Sequence, residues 1–247
     1  MARRILFALE QSMEEAQDVV VSFDIGLKNL GIAAVALCDD DAARLLVWRV
    51  VSLVEAGRKG VPRPEVLVER LFGRLDELFE ELRPHRLTVL IENQPSKGVM
   101  KTLQTWIHSY FLLRKRWQGA AEAVHLVSAT QKLRGHDHAP AEPVLPPAGA
   151  PRSARYTYNK KMGIALARRY IQGDAALEAL FGEQAKGDDL ADALLQALAW
   201  LRGVRQVAIQ RVCAATPCAA RPCSASTPAP AAAAPRCACT PGCGCAG

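Results

Sequence analysis

Hydrophobic positions along this 247-residue chain follow two periods, and the switches between them lay out its plan. Val19-Val20-Val21-Ser22-Phe23 is a β-branched run closed by Asp24 and Gly26, which predicts a buried strand over 19–24. A turn at Lys28-Asn29 leads to a second strand over 31–37. Asp39-Asp40-Asp41 turns into a third over 44–53. Turns this short between consecutive strands imply an antiparallel meander. Beyond Pro62 and Pro64 the period changes. Val66, Leu67, Leu71, Leu75, Leu78, Phe79 and Leu82 repeat at helical spacing, with Glu and Arg on the opposite face. A fourth strand over 87–92 again ends in a carboxylate, Glu92. It is followed by a helix over 99–117, a fifth strand over 122–128, and helices over 158–171 and 188–201. The order βββαβαβα predicts an α/β domain. Its mixed five-stranded sheet has three antiparallel strands, then strand–helix units, with helices on both faces.

Segments outside this pattern set the domain plan. Residues 1–18 read as an N-terminal leader whose apolar run is too short for a signal peptide. The domain spans 19–202. A loop over 135–155 with five prolines is inserted before the next helix, and the Ala-, Pro- and Cys-rich stretch 203–247 reads as a disordered tail. The net charge of +6 resides mostly there. The tail holds four of the 31 basic residues and none of the 25 acids, so the first 202 carry 27 against 25. An excess of two gives no general argument for nucleic acid, and any DNA-binding surface must come from local clustering.

Seven of the eight cysteines follow Val212 and one, Cys38, lies in the body, which points to a reducing, intracellular setting. No apolar stretch approaches the roughly 18 residues of a membrane helix, so a soluble protein is expected. Four cysteines close together near the C-terminus (Cys237, Cys239, Cys243, Cys245) have spacing unlike the usual zinc knuckles, and low complexity is the favoured reading. His136 and His138 are spaced for a metal but offer no third ligand. His125, inside an apolar strand, reads as a core residue.

Four acids carry the candidate chemistry. Asp24 and Glu92 end the first and fourth strands, which are neighbours in this topology. Asp189 and Asp192 stand at i and i+3, on one face of the last helix, while Asp188 reads as its N-cap. Carboxylates gathered in one cleft repel each other and persist only beside cations. Oxygen-only ligands select Mg²⁺ or Mn²⁺, and two ions promote in-line displacement at phosphate. Lys28, Lys97, Lys101, Lys160, Lys161 and Lys186 are the candidate DNA contacts. Arg114-Lys115-Arg116 reads equally well as a helix C-terminus complementing its dipole.

Three segments in order, Phe23-Asp24-Ile25-Gly26-Leu27-Lys28-Asn29-Leu30, Ile91-Glu92-Asn93-Gln94-Pro95 and Lys186-Gly187-Asp188-Asp189-Leu190-Ala191-Asp192-Ala193-Leu194, resemble the poxvirus-type Holliday junction resolvases of large DNA viruses. That family belongs to the RuvC-like branch of the RNase H-like superfamily. The resemblance runs from Val19 to Trp200. It implies an RNase H-like fold, a homodimer, Mg²⁺ with Mn²⁺ as substitute, paired nicks across a four-way junction, and Asp24, Glu92, Asp189 and Asp192 as metal ligands and catalytic residues. If viral, the protein would act where viral DNA replicates, in cytoplasm or nucleus. Gly187, where the family tends to a second lysine, and Asn93, where several relatives have arginine, depart from the pattern. Alternatives within the fold are a nuclease for other branched DNA or RNA–DNA hybrids, and an inactive DNA-binding scaffold. A sugar-kinase or actin-like ATPase also opens on Asp-x-Gly, but it requires a second, duplicated domain that this length does not supply.

Overall fold

The strand β1 (Asp18–Asp24) is the axis of a mixed sheet. It pairs antiparallel with β2 (Leu30–Leu37) and parallel with β4 (Arg86–Glu92). β3 (Ala42–Val51) continues the meander beside β2, and β5 (Ala121–Val127) lies parallel to β4. The computed structural model describes residues 18–38, 42–55, 57, 60–82, 85–95, 97–118, 121–133, 147, 149–184, 187–205 and 209–214. The leader, nearly all of the Pro-rich loop and the tail beyond Ala214 lie outside those residues.

Period-two alternation divides β1 and β4 between two cores. Val19, Val21 and Phe23 with Val89 and Ile91 face helices α1 (Pro64–Glu81) and α2 (Val99–Gln118). Val20 and Leu90 face α3 (Arg152–Ile171), α4 (Ala175–Glu183) and α5 (Gly187–Arg205). By the same alternation Ser22, Asp24 and Glu92 point to the α5 side. The aliphatic side chains of both layers are almost fully buried, each contributing about 1.5–3 kcal/mol.

The fold class is the one the sequence implies, with four differences. A sixth strand, β6 (Arg211–Ala214), pairs parallel with the far edge of β3, giving the order β5-β4-β1-β2-β3-β6. The start of the tail therefore belongs to the domain. Ile209 and Val212 are buried, and the Ala214 backbone N–H donates to the Asp174 carboxylate at 2.8 Å. Four consecutive residues are too few for periodicity to reveal, and β6 exists only because β3 offers an open edge. Second, α3 begins at Arg152, so the inserted loop ends at Pro151, a residue well suited to precede a helix. Third, α4 is a short helix with no marked amphipathic stripe, capped by Asp174, whose carboxylate accepts from Ala176 and Leu177 N–H.

Fourth, most of the apolar band of α2 is covered within the subunit. A seam between two copies is a natural reading of Leu103, Trp106, Ile107, Tyr110, Phe111 and Leu113, but Leu103, Ile107, Tyr110 and Phe111 are buried against the sheet and α1. Tyr110 and Arg114 both bond the Asp76 carboxylate of α1, and the Arg114 guanidinium lies 4.8 Å from the Phe79 ring centroid. Arg114 thus ties two helices together. Leu112 and Leu113 remain exposed.

The buried start of the tail changes what truncation should do. Ending the chain after Ala215 should leave thermal stability within about 0.5 kcal/mol of the full chain, as for surface changes. Ending it after Arg205 removes two buried aliphatic side chains and should cost about 3–6 kcal/mol in urea unfolding. Equal stability of the two truncations would dissociate β6 from the domain.

Candidate active site

Asp24 and Glu92 leave adjacent parallel strands at the same end and on the same face. The register pairs Phe23 with Ile91, so the two acids follow side by side and their carboxyls share a hydrogen bond. Beyond Asp24 the chain reverses through a turn that only glycine admits at position 26. A Cβ there would stand 2.2 Å from the Asn29 carbonyl oxygen. The exit after Glu92 is also held. Asn93 N–H donates to the Val127 carbonyl at 2.7 Å, and Gln94 N–H donates to Oε1 of the buried Gln104 on α2 at 2.7 Å.

The first turns of α5 lie over this strand end. Asp192 joins the two strand acids electrostatically, and Asp189 enters through its backbone. Its carbonyl oxygen would be 2.5 Å from a Cβ at Gly31, the β2 residue paired with Asp24. Three contacts set the position of α5. Gln196, one turn past Asp192, donates to Ser22 Oγ at 2.9 Å in the core. The Trp48 indole N–H on β3 donates to the Leu190 carbonyl at 3.0 Å. Phe181 of α4 stacks on Trp48 at 5.3 Å, and a Cβ at Gly187 would be 3.1 Å from its ring. Glycine at 187 is thus explained by Phe181 packing against the start of α5.

A residue missed by the sequence reading completes the cluster. Lys132 sits in a single 3-10 turn, Gln131–Leu133, directly after β5. Its ammonium lies 2.5 Å from Asp192 Oδ2 and 3.5 Å from Glu92 Oε2. The signal was present in the chain: β4 and β5 are parallel, so a lysine soon after the end of β5 arrives beside the end of β4.

Charge balance follows from burial. Desolvation, with the shared hydrogen bond to Glu92, pushes the Asp24 carboxyl up to about 9. The charges of Glu92 and Asp192 add to this, and Lys132 opposes it. Burial likewise raises Asp192, against the pull of Lys132. Lys132 itself is lowered by burial, but the charges of Asp192, Asp24 and Glu92 outweigh that and its pKa goes up. One ammonium therefore stands among three carboxyls. Among the described residues no group of three His, Cys, Asp or Glu side chains stands in metal-holding positions.

The predicted DNA contacts divide. Lys28, Lys97 and Lys161 are exposed. Lys101 is half-buried and bonds Asn93 Oδ1 and Gln104 Oε1. Lys160 bonds the Asp188 carboxylate, which raises its pKa, so Asp188 is an ion-pair partner inside α5 and not its cap. Lys186 lies outside the described residues, as do His136, His138 and the tail cysteines beyond Cys213. His125 is only half-buried and packs its ring 4.5 Å from that of Trp200. No described helix is long and apolar enough to cross a membrane.

No protein-family model and no curated protein matches the chain. Solved structures do. The yeast mitochondrial Holliday junction resolvase superposes with a TM-score of 0.54 at 18% identity, over 82% of this chain and 87% of that one. The fowlpox virus resolvase, solved in complex with its Holliday junction DNA, gives 0.50 at 15% identity, over 75% and 98%. These likenesses show the fold alone, the mixed RNase H-like sheet that the sequence implies.

Two predictions follow from this geometry. Gly31→Ala should push the start of α5 off β2, costing about 1–3 kcal/mol of stability, measurable by thermal unfolding; an unchanged melting point would mean α5 is free to shift. The second concerns pH. A folded-state pKa raised from 3.8 to about 9 means the fold prefers protonated Asp24. That stabilisation is complete below 3.8 and is lost as pH rises through 9. In chelator, Asp24→Asn should therefore be more stable than wild type at pH 8 and lose that advantage near pH 4. A gap independent of pH would remove Asp24 from the coupled cluster.

Proposed function

We propose that this protein is a metal-dependent endonuclease that resolves four-way DNA junctions as a homodimer. The observation that carries the reading is the pair Asp24 and Glu92, partly buried side by side on neighbouring strands, with Asp192 brought across them by α5. Burial raises both the Asp24 and the Asp192 carboxyl, so a cation beyond Lys132 would be favoured there. The donor type, carboxylate oxygen throughout, suits an oxygen-seeking cation, although the side chains as they stand are not yet gathered around one. Asp24, Glu92 and Asp192, with Asp189 from the same turn of α5, would hold Mg²⁺, or Mn²⁺ in its place, and two ions suit four carboxylates. When bound, the metal would activate water and neutralise charge at the scissile phosphate.

The chain's own groups do the rest. Lys132 keeps its proton, because three carboxyls hold its pKa up, and it fixes Glu92 and Asp192 relative to each other. An ammonium at that point also stabilises negative charge that builds on a phosphate oxygen in the transition state. Lys28, Lys97, Lys101 and Lys161, the first three on segments beside the strand ends and the last on α3, supply cations for the DNA backbone.

The choice of substrate is supported by the yeast and fowlpox proteins, both Holliday junction resolvases. A homodimer follows from the substrate, since a junction has near two-fold symmetry and needs two matched cuts. Leu112 and Leu113, the apolar residues that α2 leaves exposed, are the available seam on that helix.

The decisive experiment offers synthetic four-way junctions beside linear duplex, flap and RNA–DNA hybrid, with and without Mg²⁺. Paired nicks in the junction alone are expected, from a species sedimenting as a dimer. Asp24→Asn, Glu92→Gln, Asp189→Asn and Asp192→Asn should each cut more than about a hundredfold slower, since even outer partners of metal ligands are worth that much. Binding should persist. Lys132→Ala should slow cutting about a hundredfold. Preference for the hybrid, or metal-independent cutting, would sink the reading.

A further inference from the structure

The packing of α3 leaves one large side chain unaccounted for. Its inner face, Met162, Gly163, Leu166 and Ala167, is buried against α5, yet Tyr156, nearer its start, is 62% exposed. The ring is not loose. Lys160, one turn further on, places its ammonium 5.1 Å from the ring centroid. Lys160 is in turn ion-paired with Asp188, the residue that precedes Asp189 in the first turn of α5. Two side-chain contacts thus tie an exposed aromatic ring to the helix that carries Asp189 and Asp192. Arg152, Arg155 and Lys161 are exposed on the same stretch of α3.

An aromatic face flanked by cations fits one kind of ligand well. The ring takes the face of a base and the cations take its phosphates. In continuous duplex every base face is covered by its neighbours, and the ring has nothing to stack on. At a branch point the stack is interrupted and a base face becomes available. We propose that Tyr156 is a base-stacking residue that seats an unstacked nucleotide of branched DNA beside the acidic cluster. It thereby contributes to the preference for branched over linear DNA. The proposal rests on the nuclease reading above. Lys160 has a corresponding role: held by Asp188, it orients the ring and does not itself contact phosphate.

The test uses the full chain and a four-way junction carrying 2-aminopurine either at the branch point or within an arm. Binding is read in the Asp192→Asn background, expected to cut more than about a hundredfold slower, and kcat and KM in the otherwise unaltered chain. The branch-point probe should be quenched on binding and the arm probe should not. Tyr156→Ala should abolish the quench and lower kcat/KM for the junction roughly ten- to hundredfold, the usual worth of one base–aromatic stack. Tyr156→Phe and Tyr156→Trp should retain both. Quenching and cleavage unchanged in Tyr156→Ala overturn the proposal and leave the nuclease reading intact. A loss in Tyr156→Phe as large as in Tyr156→Ala also overturns it, because the hydroxyl and not the ring would then matter. Tyr156-dependent quenching by a chain that cuts nothing sinks the nuclease reading alone and supports the stacking. Failure to bind any branched DNA overturns both.

Discussion

Two carboxyls forced together in a low-dielectric place are the constraint on which this structure turns. Asp24 and Glu92 are adjacent because β1 and β4 are parallel neighbours in register, and they are partly buried on the α5 side of the sheet. Either acid alone at a strand end would be solvated and unremarkable. Together under a helix, burial and the hydrogen bond from the neighbouring Glu92 raise the proton affinity of Asp24 and favour a nearby cation. Lys132 meets part of that requirement from the end of β5, and its short contact to Asp192 binds the helix to the strands. The cluster is therefore an electrostatic joint between the sheet and α5 as well as the proposed chemical centre.

The surrounding packing serves that joint. Small residues stand where backbone must approach closely: Gly31 beneath the Asp189 carbonyl, Gly163 with its Cβ position 3.5 Å from Asp192 Oδ1, and Gly187 against Phe181. Larger polar groups reach inward where α5 must not slide. The Gln196–Ser22 and Trp48–Leu190 hydrogen bonds are buried, and breaking either would leave a polar atom unsatisfied in the core. The position of Asp189 and Asp192 thus depends on residues from β1, β2, β3 and α4.

Cations around the site serve two purposes. Lys132 and Lys160 are held by acids, Lys132 by Glu92 and Asp192 and Lys160 by Asp188. Lys28, Lys97 and Lys161 are exposed to solvent and available to a polyanion. Counting basic residues does not separate these roles, because an ion pair and a free ammonium have the same composition. Arg114, which from sequence could contact phosphate, is committed to Asp76 and to two aromatic rings.

The sequence by itself determined the order of the first five strands, the long helices, and three of the acids now seen together, Asp24, Glu92 and Asp192. Each of these rests on local pattern: β-branched runs, helical spacing over four or more turns, and acids placed where a strand or an apolar face should not carry them. Tertiary structure decided the rest. β6 is four residues long and depends on the free edge of β3. The short helix α4 has no marked stripe, and its Phe181 matters only where it meets Trp48 and Gly187. Lys132 belongs to the site through the parallel pairing of β4 and β5, a relation between residues forty positions apart. The apolar band of α2 looked wide enough to face a second copy, and α1 and the sheet had already covered most of it. Local pattern records which residues prefer burial or a given backbone shape, whereas the partner each one meets is set by contacts between distant segments.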